Sequence, residues 1–230
     1  WNVLTQLSFT ILIAYLIFEW EIKSQIIFSI LLLLLTEAMY RFAHIPGYDQ
    51  PFTDQKNFGN YVDLILMNKI NHGGWVAINC IPTAVHTIAG AILGKVLLKK
   101  ELNNLKWLIY WGLALLAIGY LLDLMHITPI VKRIATSSFT VASLGYCLLF
   151  FAASYYLIDI KHRKKNIFFF QVVGMNSIFI YLFFEIVADR WFNGYVAAIT
   201  NGLMEVVQIP FLIQSIITCL CIFILEWSLC

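Results

Sequence analysis

Long apolar runs, separated by short charged connections, constrain this chain more than any other feature of its sequence. A helix needs about 20 consecutive, mostly apolar residues to cross the hydrocarbon core of a bilayer. Seven runs of about this length predict spans at residues 2–18, 22–40, 75–98, 105–122, 134–158, 167–188 and 208–228. The sequence therefore predicts an all-α fold, a polytopic transmembrane helix bundle with about seven spanning helices.

Charged side chains are scarce, as expected for a chain that lies mostly in lipid. Of the 230 residues, 61% are hydrophobic and 12% are charged, whereas about a quarter of the residues of a soluble domain are charged. The formal net charge of +2 is too small for a nucleic-acid-binding surface, so we expect the lipid bilayer as a partner and no nucleic acid. No internal repeat or low-complexity linker divides the sequence, and residues 1–230 are predicted to form a single integral membrane domain.

The distribution of Lys and Arg predicts the orientation of the spans, because cytoplasmic connections carry the excess of positive charge. If the connections alternate sides, nine basic residues fall on one side and six on the other. The two densest clusters, in 99–106 and 159–166, share the first side. We therefore expect that side to be cytoplasmic, with the C-terminus inside.

The longest predicted connection, residues 41–74, lies on the opposite, extracytoplasmic side. Its metal-ligating residue types are His44, Asp49, Asp54, Asp63 and His72. Their spacing matches no compact ligand motif, so the sequence favours a solvated loop and no metal site. Within the loop, "NYVDLILMNKI" predicts a short interfacial helix, whose common face would hold Tyr61, Leu64, Ile65 and Asn68.

The predicted span 75–98 carries a stripe of polar and small residues. Spacings of four, three, four and four residues place one set of side chains on one face of a helix: Asn79, Thr83, His86, Gly90 and Gly94. This face is expected to line a cavity or to hydrogen-bond neighbouring helices, because ionisable groups in spans rarely face lipid. The glycine pair would permit close helix approach, and Pro82 would bend the helix.

Two further segments hold polar groups inside predicted spans. In 131–143, Lys132 and Arg133 either anchor the membrane interface or bind an anionic group, and the hydroxyls that follow are explained mostly by helix packing. Those hydroxyls belong to Thr136, Ser137, Ser138, Thr140 and Ser143. In 173–186, the polar residues are Asn176, Ser177, Tyr181 and Glu185.

Five segments resemble, in the same order, the heparan-α-glucosaminide N-acetyltransferase family and its bacterial relatives, some of which are described as N-acetylglucosamine-related transporters. They are "WNVLTQLSFTILIAYLIF", "GNYVDLILM", "INCIPTAVHTIAGAILGKVL", "ITPIVKRIATSSFTV" and "GMNSIFIYLFFEI". The resemblance covers nearly the whole chain, and the last segment is its most specific part. It implies a bacterial inner-membrane enzyme that moves acetyl from cytosolic acetyl-CoA to an amino sugar or glycan on the far side.

The resemblance also implies a departure from the family. The family's proposed catalytic histidine lies in N-terminal helices, upstream of the segment that matches Trp1 here. We expect that this chain lacks those helices, and a relative with a different function is the alternative. An amino-sugar or small-solute transporter and a non-catalytic membrane protein remain open as functions, as does a homodimer.

Within the acyltransferase interpretation, the candidate residues fall into three groups. The catalytic candidates are His86, Asn79 and Asn176. The substrate or cavity candidates are Thr83, Asp63, Ser137, Ser138, Ser177, Tyr181 and Glu185. The candidates for binding the CoA phosphates are Lys95, Lys99, Lys100, Arg163 and Lys164. Acetyl-CoA is the expected cosubstrate, and no metal is expected.

Overall fold

The computed structural model describes residues 2–98, 105–163, 167–208 and 210–229. The described part of the chain is helical and contains no β-strand, which confirms the predicted all-α fold class. The helices are α1 (Val3–Leu16), α2 (Ile22–Phe42), α3 (Phe58–Met67), α4 (Cys80–Leu98), α5 (Leu105–Leu124), α6 (Ser137–Tyr155), α7 (Phe168–Met175), α8 (Ser177–Phe183), α9 (Asn193–Val206) and α10 (Phe211–Ser228).

Short irregular helices extend several of these elements. A 3₁₀ turn, Ala77–Asn79, leads into α4. A π-helical segment, Tyr156–Ile160, continues α6, and a second one, Phe184–Phe192, joins α8 to α9. Residues 189–206, which lie between the predicted spans 167–188 and 208–228, are therefore helical as well.

Helix length and apolar composition fit an integral membrane protein. Among the described residues, five helical segments are long and apolar enough to cross a bilayer. They are Ile22–Phe42, Ala77–Leu98, Leu105–Leu124, Ser137–Ile160 and Phe211–Ser228. The predicted span 167–188 is broken instead, since Phe168–Met175 and Ser177–Val206 meet at a 70° bend, and they make a sixth span if they count as one. With 14 residues, α1 is shorter than a full span.

The chain divides into two compact units, Trp1–Tyr156 and Leu157–Cys230. The single membrane domain stays a prediction. In the first unit, α4 packs against α1 and α2. The apolar core at this contact is formed by Ala14, Ile17, Leu32, Ala84, Val85 and Ile88.

The core contact shows that α4 buries its apolar face more deeply than the part of its polar stripe that follows Asn79. Ile88 is 1% exposed, whereas His86 is half-buried and Gly90 is exposed. A Cβ at Gly90 or Gly94 would meet nothing within 4 Å, so no other helix of the described part of the chain approaches this glycine pair closely. The close approach that the pair would permit stays a prediction. Pro82 lies in the first turn of α4, where its missing N–H leaves no hydrogen bond unmade, and a bend is not required there.

Close helix approach occurs instead between α5 and α6. A Cβ added at Gly145 would lie 2.8 Å from both the Gly112 carbonyl oxygen and the Leu116 nitrogen. A Cβ at Gly119 would lie 2.7 Å from the Ala142 nitrogen. These backbones approach so closely because no side chain separates them.

The predicted short helix in the 41–74 loop is present as α3. Asn57 begins it, because its side-chain oxygen accepts a hydrogen bond from the Asn60 N–H at 3.1 Å. The helix buries Asn60 and Asp63 against the protein and exposes Ile65 and Leu66. Its polarity is the reverse of that of a surface helix in a water-soluble protein.

The second unit is held together by contacts between α9 and α10 and by an aromatic stack. The Thr218 hydroxyl donates to Asn201 Oδ1 at 3.0 Å and lies 2.9 Å from the Thr200 hydroxyl. The rings of Phe169 and Trp227 stack with centroids 5.3 Å apart. The α7 helix and the last turn of α10 are thereby joined.

Candidate functional site

A series of hydrogen bonds links the turn before α4, the first turn of α4 and the neighbouring helix α1. The buried Asn79 donates from Nδ2 to the Arg133 carbonyl oxygen at 3.4 Å. Its own carbonyl accepts from the Thr83 hydroxyl at 2.7 Å, and Thr83 in turn accepts from Gln6 Nε2 of α1 at 3.0 Å. Asn79 and Thr83 stand out in the sequence, whereas Gln6 does not, because its only signal is an amide inside a mostly apolar run.

One helical turn deeper, α4 and α6 bring an imidazole and a hydroxyl together. His86 Nε2 lies 2.7 Å from Ser143 Oγ, and both residues are half-buried. The Ser143 hydroxyl is also 3.1 Å from the Thr140 carbonyl, to which it can donate. When the serine hydroxyl donates to Thr140, His86 Nε2 carries a proton and donates to Ser143 Oγ. In the tautomer without a proton on Nε2, His86 accepts a hydrogen bond from the Ser143 hydroxyl. A base beside a hydroxyl is the arrangement that nucleophilic catalysis needs.

The depth of this pair follows from helix geometry. His86 is seven residues beyond Asn79, which corresponds to about 10 Å along a helix that rises 1.5 Å per residue. The pair therefore lies well inside a 22-residue segment that is apolar enough to span a bilayer. Ser143 appeared in the sequence only as one of several hydroxyls, and its pairing with His86 depends on how α4 meets α6.

Other hydroxyls of α6 fasten the connection that precedes it. The Thr136 and Ser138 hydroxyls both donate to the Pro129 carbonyl oxygen, at 2.7 and 2.8 Å. The Ser137 hydroxyl donates to the Leu33 carbonyl of α2 at 3.3 Å. These contacts give Ser137 and Ser138 a structural role, and a role in substrate binding stays a prediction.

A cleft of about 330 Å³, here named the Arg133 cleft, opens beside the start of α6. It is lined by Phe52, Asp54, Asn57, Gly74, Ile130, Val131, Lys132, Arg133 and Ile134. Arg133 forms an ion pair with Asp54 at 3.4 Å, and the Lys132 ammonium lies over the Trp75 ring at 5.5 Å. One acidic group thus faces two cations, and both interpretations of the basic pair stay open.

A cluster of buried polar side chains, here named the Asp63 cluster, lies where α3 meets α2 and the turn before α4. Its members are Tyr40, Asn60, Asp63 and Asn79, all at most 3% exposed. Asp63 Oδ1 accepts the Ala77 N–H at 2.8 Å. Burial raises the pKa of the Asp63 carboxyl, and this hydrogen bond opposes the increase. Asp63 is thus part of the protein interior, although the sequence predicted that it would lie in a solvated loop.

Of the five candidate CoA-binding cations, two belong to the described part of the chain, Lys95 and Arg163. Lys95 donates to the carbonyl oxygens of Phe18 and Trp20 at the end of α1, and its ammonium lies 4.4 Å from the centroid of the Phe18 ring. It therefore fastens the connection between α1 and α2 to the end of α4. The Arg163 backbone N–H donates to Leu157 at 3.1 Å within the second unit. Lys99, Lys100 and Lys164 lie outside the described residues.

The remaining candidates belong to the second unit. Asn176 lies at the break between α7 and α8 and donates from Nδ2 to the Val172 carbonyl at 3.2 Å. Ser177 and Tyr181 line a cleft of about 310 Å³, whereas the exposed Glu185 does not. The structure thus joins His86, Asn79 and Thr83 within one unit, and a common site with Asn176 stays a prediction.

Comparisons with known proteins do not extend this assignment. No protein-family model, no curated protein and no solved structure matched the chain.

Proposed function

We propose that this protein is a membrane-embedded acyltransferase that moves an acetyl group from cytosolic acetyl-CoA to an amino sugar or glycan on the opposite side. The observation that carries the proposal is the 2.7 Å contact between His86 Nε2 and Ser143 Oγ inside a spanning helix pair. The resemblance of the sequence to the N-acetyltransferase family supports the same chemistry. The hydrogen-bonded polar groups of α4 would lead from this pair towards Asn79 and the Arg133 cleft.

Acetyl transfer through this pair takes two steps. Ser143 Oγ attacks the thioester carbonyl while His86 Nε2 takes the serine proton, and the CoA thiolate leaves and accepts that proton from the imidazolium. The amine of the acceptor then attacks the acetyl-serine carbonyl, His86 takes a proton from the amine, and that proton returns to Ser143 Oγ. Each step breaks one acyl bond and forms another, so no oxidant or reductant is required.

Transport of an amino sugar is the second candidate function. The observation in its favour is the 70° bend at Asn176 between Phe168–Met175 and Ser177–Val206. Transporters often build their solute sites from discontinuous helices of this kind. Both functions would use a polar route through the membrane, and they differ in whether the sugar leaves acetylated.

The test uses the full chain in sealed proteoliposomes with acetyl-labelled CoA and glucosamine. We expect labelled N-acetylglucosamine to form, and we expect Ser143→Ala or His86→Gln to lower the rate by about 100-fold or more. Ser29→Ala is the matched control, because the Ser29 hydroxyl also lies in a span but binds only the carbonyl of its own helix at Gln25. Asn176→Ala, compared in the same assay, tests whether the second unit contributes to turnover.

Three outcomes decide between the candidates. Label retained on the wild-type chain after denaturation, but not on Ser143→Ala, supports the acetyl-serine route. Turnover that falls only as much as the folded yield in the His86 and Ser143 variants would refute the catalytic assignment. Uptake of unmodified sugar without any acetylation would replace the enzyme by the transporter.

A further inference from the structure

The Asp63 cluster has a property that the proposed chemistry does not use. Asn60 and Asp63 are 0% exposed, Asn79 is 1% exposed and Tyr40 is 3% exposed. Within the described part of the chain, no hydrogen-bond partner exists for Asp63 Oδ2, Asn79 Oδ1, Tyr40 Oη or either side-chain atom of Asn60. Buried polar atoms are nearly always paired, so a group of them in one place requires an explanation.

Several contacts show that these side chains lie on elements packed against one another. The Ala77 N–H that binds Asp63 belongs to the same 3₁₀ turn as Asn79. Gly59, next to Asn60, lies so close to the Tyr40 hydroxyl that a Cβ at Gly59 would overlap it. The charge of Asp63 also acts electrostatically on Tyr40. The cluster is therefore formed jointly by α2, α3 and the turn before α4.

Among the residues that the structure describes, no cationic side chain forms an ion pair with the Asp63 carboxylate. Arg41, near the end of α2, is bound to Glu37 at 2.9 Å and to the Ile127 carbonyl. The Arg133 guanidinium is paired with Asp54. Lys56 and Lys69, the basic residues of the α3 region, are exposed. Buried charges are otherwise found paired or bound to metal ions.

We propose that Asp63, Asn60 and Asn79 bind one monovalent cation, with sodium as the ion to test. Carboxylate, amide and phenol oxygens are hard ligands of the type that alkali and alkaline-earth cations prefer. One carboxylate together with neutral oxygens balances a single positive charge. A divalent ion would leave an excess charge in a buried site, and among the described residues no three His, Cys, Asp or Glu side chains gather around a common point.

Occupation of this site joins three elements of the first unit. The ion would connect α3, through Asn60 and Asp63, to the turn before α4, through Asn79, and it would lie beside Tyr40 near the end of α2. Its predicted effect is therefore on stability, which ion binding and unfolding report without a measurement of acetyl transfer at His86 and Ser143. A ligand that binds only the folded state raises stability with the logarithm of its concentration once the site begins to saturate.

The experiment measures binding of ²²Na⁺ to the purified full chain in detergent, in buffer whose only other cation is choline. We expect saturable binding of one ion per chain, and a thermal unfolding midpoint that rises with NaCl but not with choline chloride at equal ionic strength. Asp63→Asn keeps the shape of the side chain and removes its charge. It is expected to raise the half-saturating sodium concentration by about 10-fold or more, because loss of a group that only supports a ligand already weakens a metal site by about 10- to 100-fold.

Two further variants keep the test decisive. Asp54→Asn removes a carboxylate that is exposed and paired with Arg133, and it should bind sodium as the wild type does. Asn60→Ala removes a neutral ligand, and it provides the required weakening if Asp63→Asn does not fold. Absence of saturable ²²Na⁺ binding by the wild type overturns the proposal. Binding that survives unchanged in both Asn60→Ala and Asp63→Asn overturns it as well.

Discussion

Substitution of Gly145 by alanine tests the close contact between α5 and α6. The added Cβ would lie 2.8 Å from the Gly112 carbonyl oxygen and 2.8 Å from the Leu116 nitrogen. Ordinary van der Waals contact begins at 3.4 Å, so the helices must separate by the difference, 0.6 Å or more. Both atoms belong to backbone, and neither can move aside as a side chain would.

The expected magnitude is the sum of two opposed effects. Overpacking of a close contact costs about 1–3 kcal/mol, and alanine gains up to about 1 kcal/mol over glycine in a helix interior. Gly90→Ala is the matched control, because its Cβ meets nothing within 4 Å and only the favourable effect applies. The difference in unfolding free energy between the two variants therefore isolates the overpacking cost, about 1–3 kcal/mol.

The assay is equilibrium unfolding of both variants in mixed micelles of mild detergent and dodecyl sulfate, followed by circular dichroism. We expect Gly145→Ala to unfold at a lower dodecyl sulfate fraction than the wild type. Gly90→Ala should unfold at the same fraction or a higher one. Gly119→Ala and Gly94→Ala provide an independent second pair. The Cβ added at Gly119 would lie 2.7 Å from the Ala142 nitrogen, whereas the one added at Gly94 would meet nothing within 4 Å. If the two members of each pair unfold together, the described packing of α5 on α6 is refuted.

Three further predictions concern single polar groups. The Gln25 amide donates to the carbonyls of Ile17, Phe18 and Trp20, which follow α1, at 2.8 to 3.3 Å. Gln25→Glu removes this donor and should lower the unfolding free energy by about 1–3 kcal/mol in the same micelle assay. Asn57→Ala should cost about 1 kcal/mol by removing the α3 cap, and Asn57→Asp, which keeps the acceptor, should cost less. Burial raises the pKa of Asp63 in the folded state, so in sodium-free buffer the wild type should lose stability as the pH rises through that raised value, whereas Asp63→Asn should not. Parallel pH curves of thermal midpoint for these two proteins would contradict the last prediction.

The fold class was predictable because the hydrophobic pattern is a local property. Each of the seven apolar runs is helical in the described part of the chain, and even the short α3 follows from its own periodicity. The continuation of helix through 189–206 was not predictable in the same way. That segment contains Asp189, Arg190 and Asn193, polar residues that usually end a span, and the π-helical segment carries the chain through them.

The site was predictable in its residues but not in its pairings. His86 and Asn79 were evident as polar groups in an apolar run, yet the partner of His86 lies 57 positions away on α6. The face of α4 that becomes buried depends on where α1 and α2 lie, and they pack against Ala84, Val85 and Ile88. A stripe pattern on one helix indicates which residues share a face, and tertiary contacts decide which face is covered.

The α3 helix shows most clearly why a membrane changes such inferences. In water, exposure of Ile65 at 63% and Leu66 at 68% would be unfavourable, and burial of Asn60 and Asp63 would be more so. Lipid against the outer face removes the first cost, because hydrocarbon solvates these side chains. Lipid does not reduce the cost of burying Asn60 and Asp63, since these side chains need a hydrogen-bond partner or a positive charge within the protein. The exposed face of α3 therefore argues for contact with the bilayer, and its buried face argues separately for a cation. Asp63→Asn changes only the buried face of α3. A variant that remains inserted in the membrane but no longer responds to sodium would therefore separate bilayer contact from cation binding.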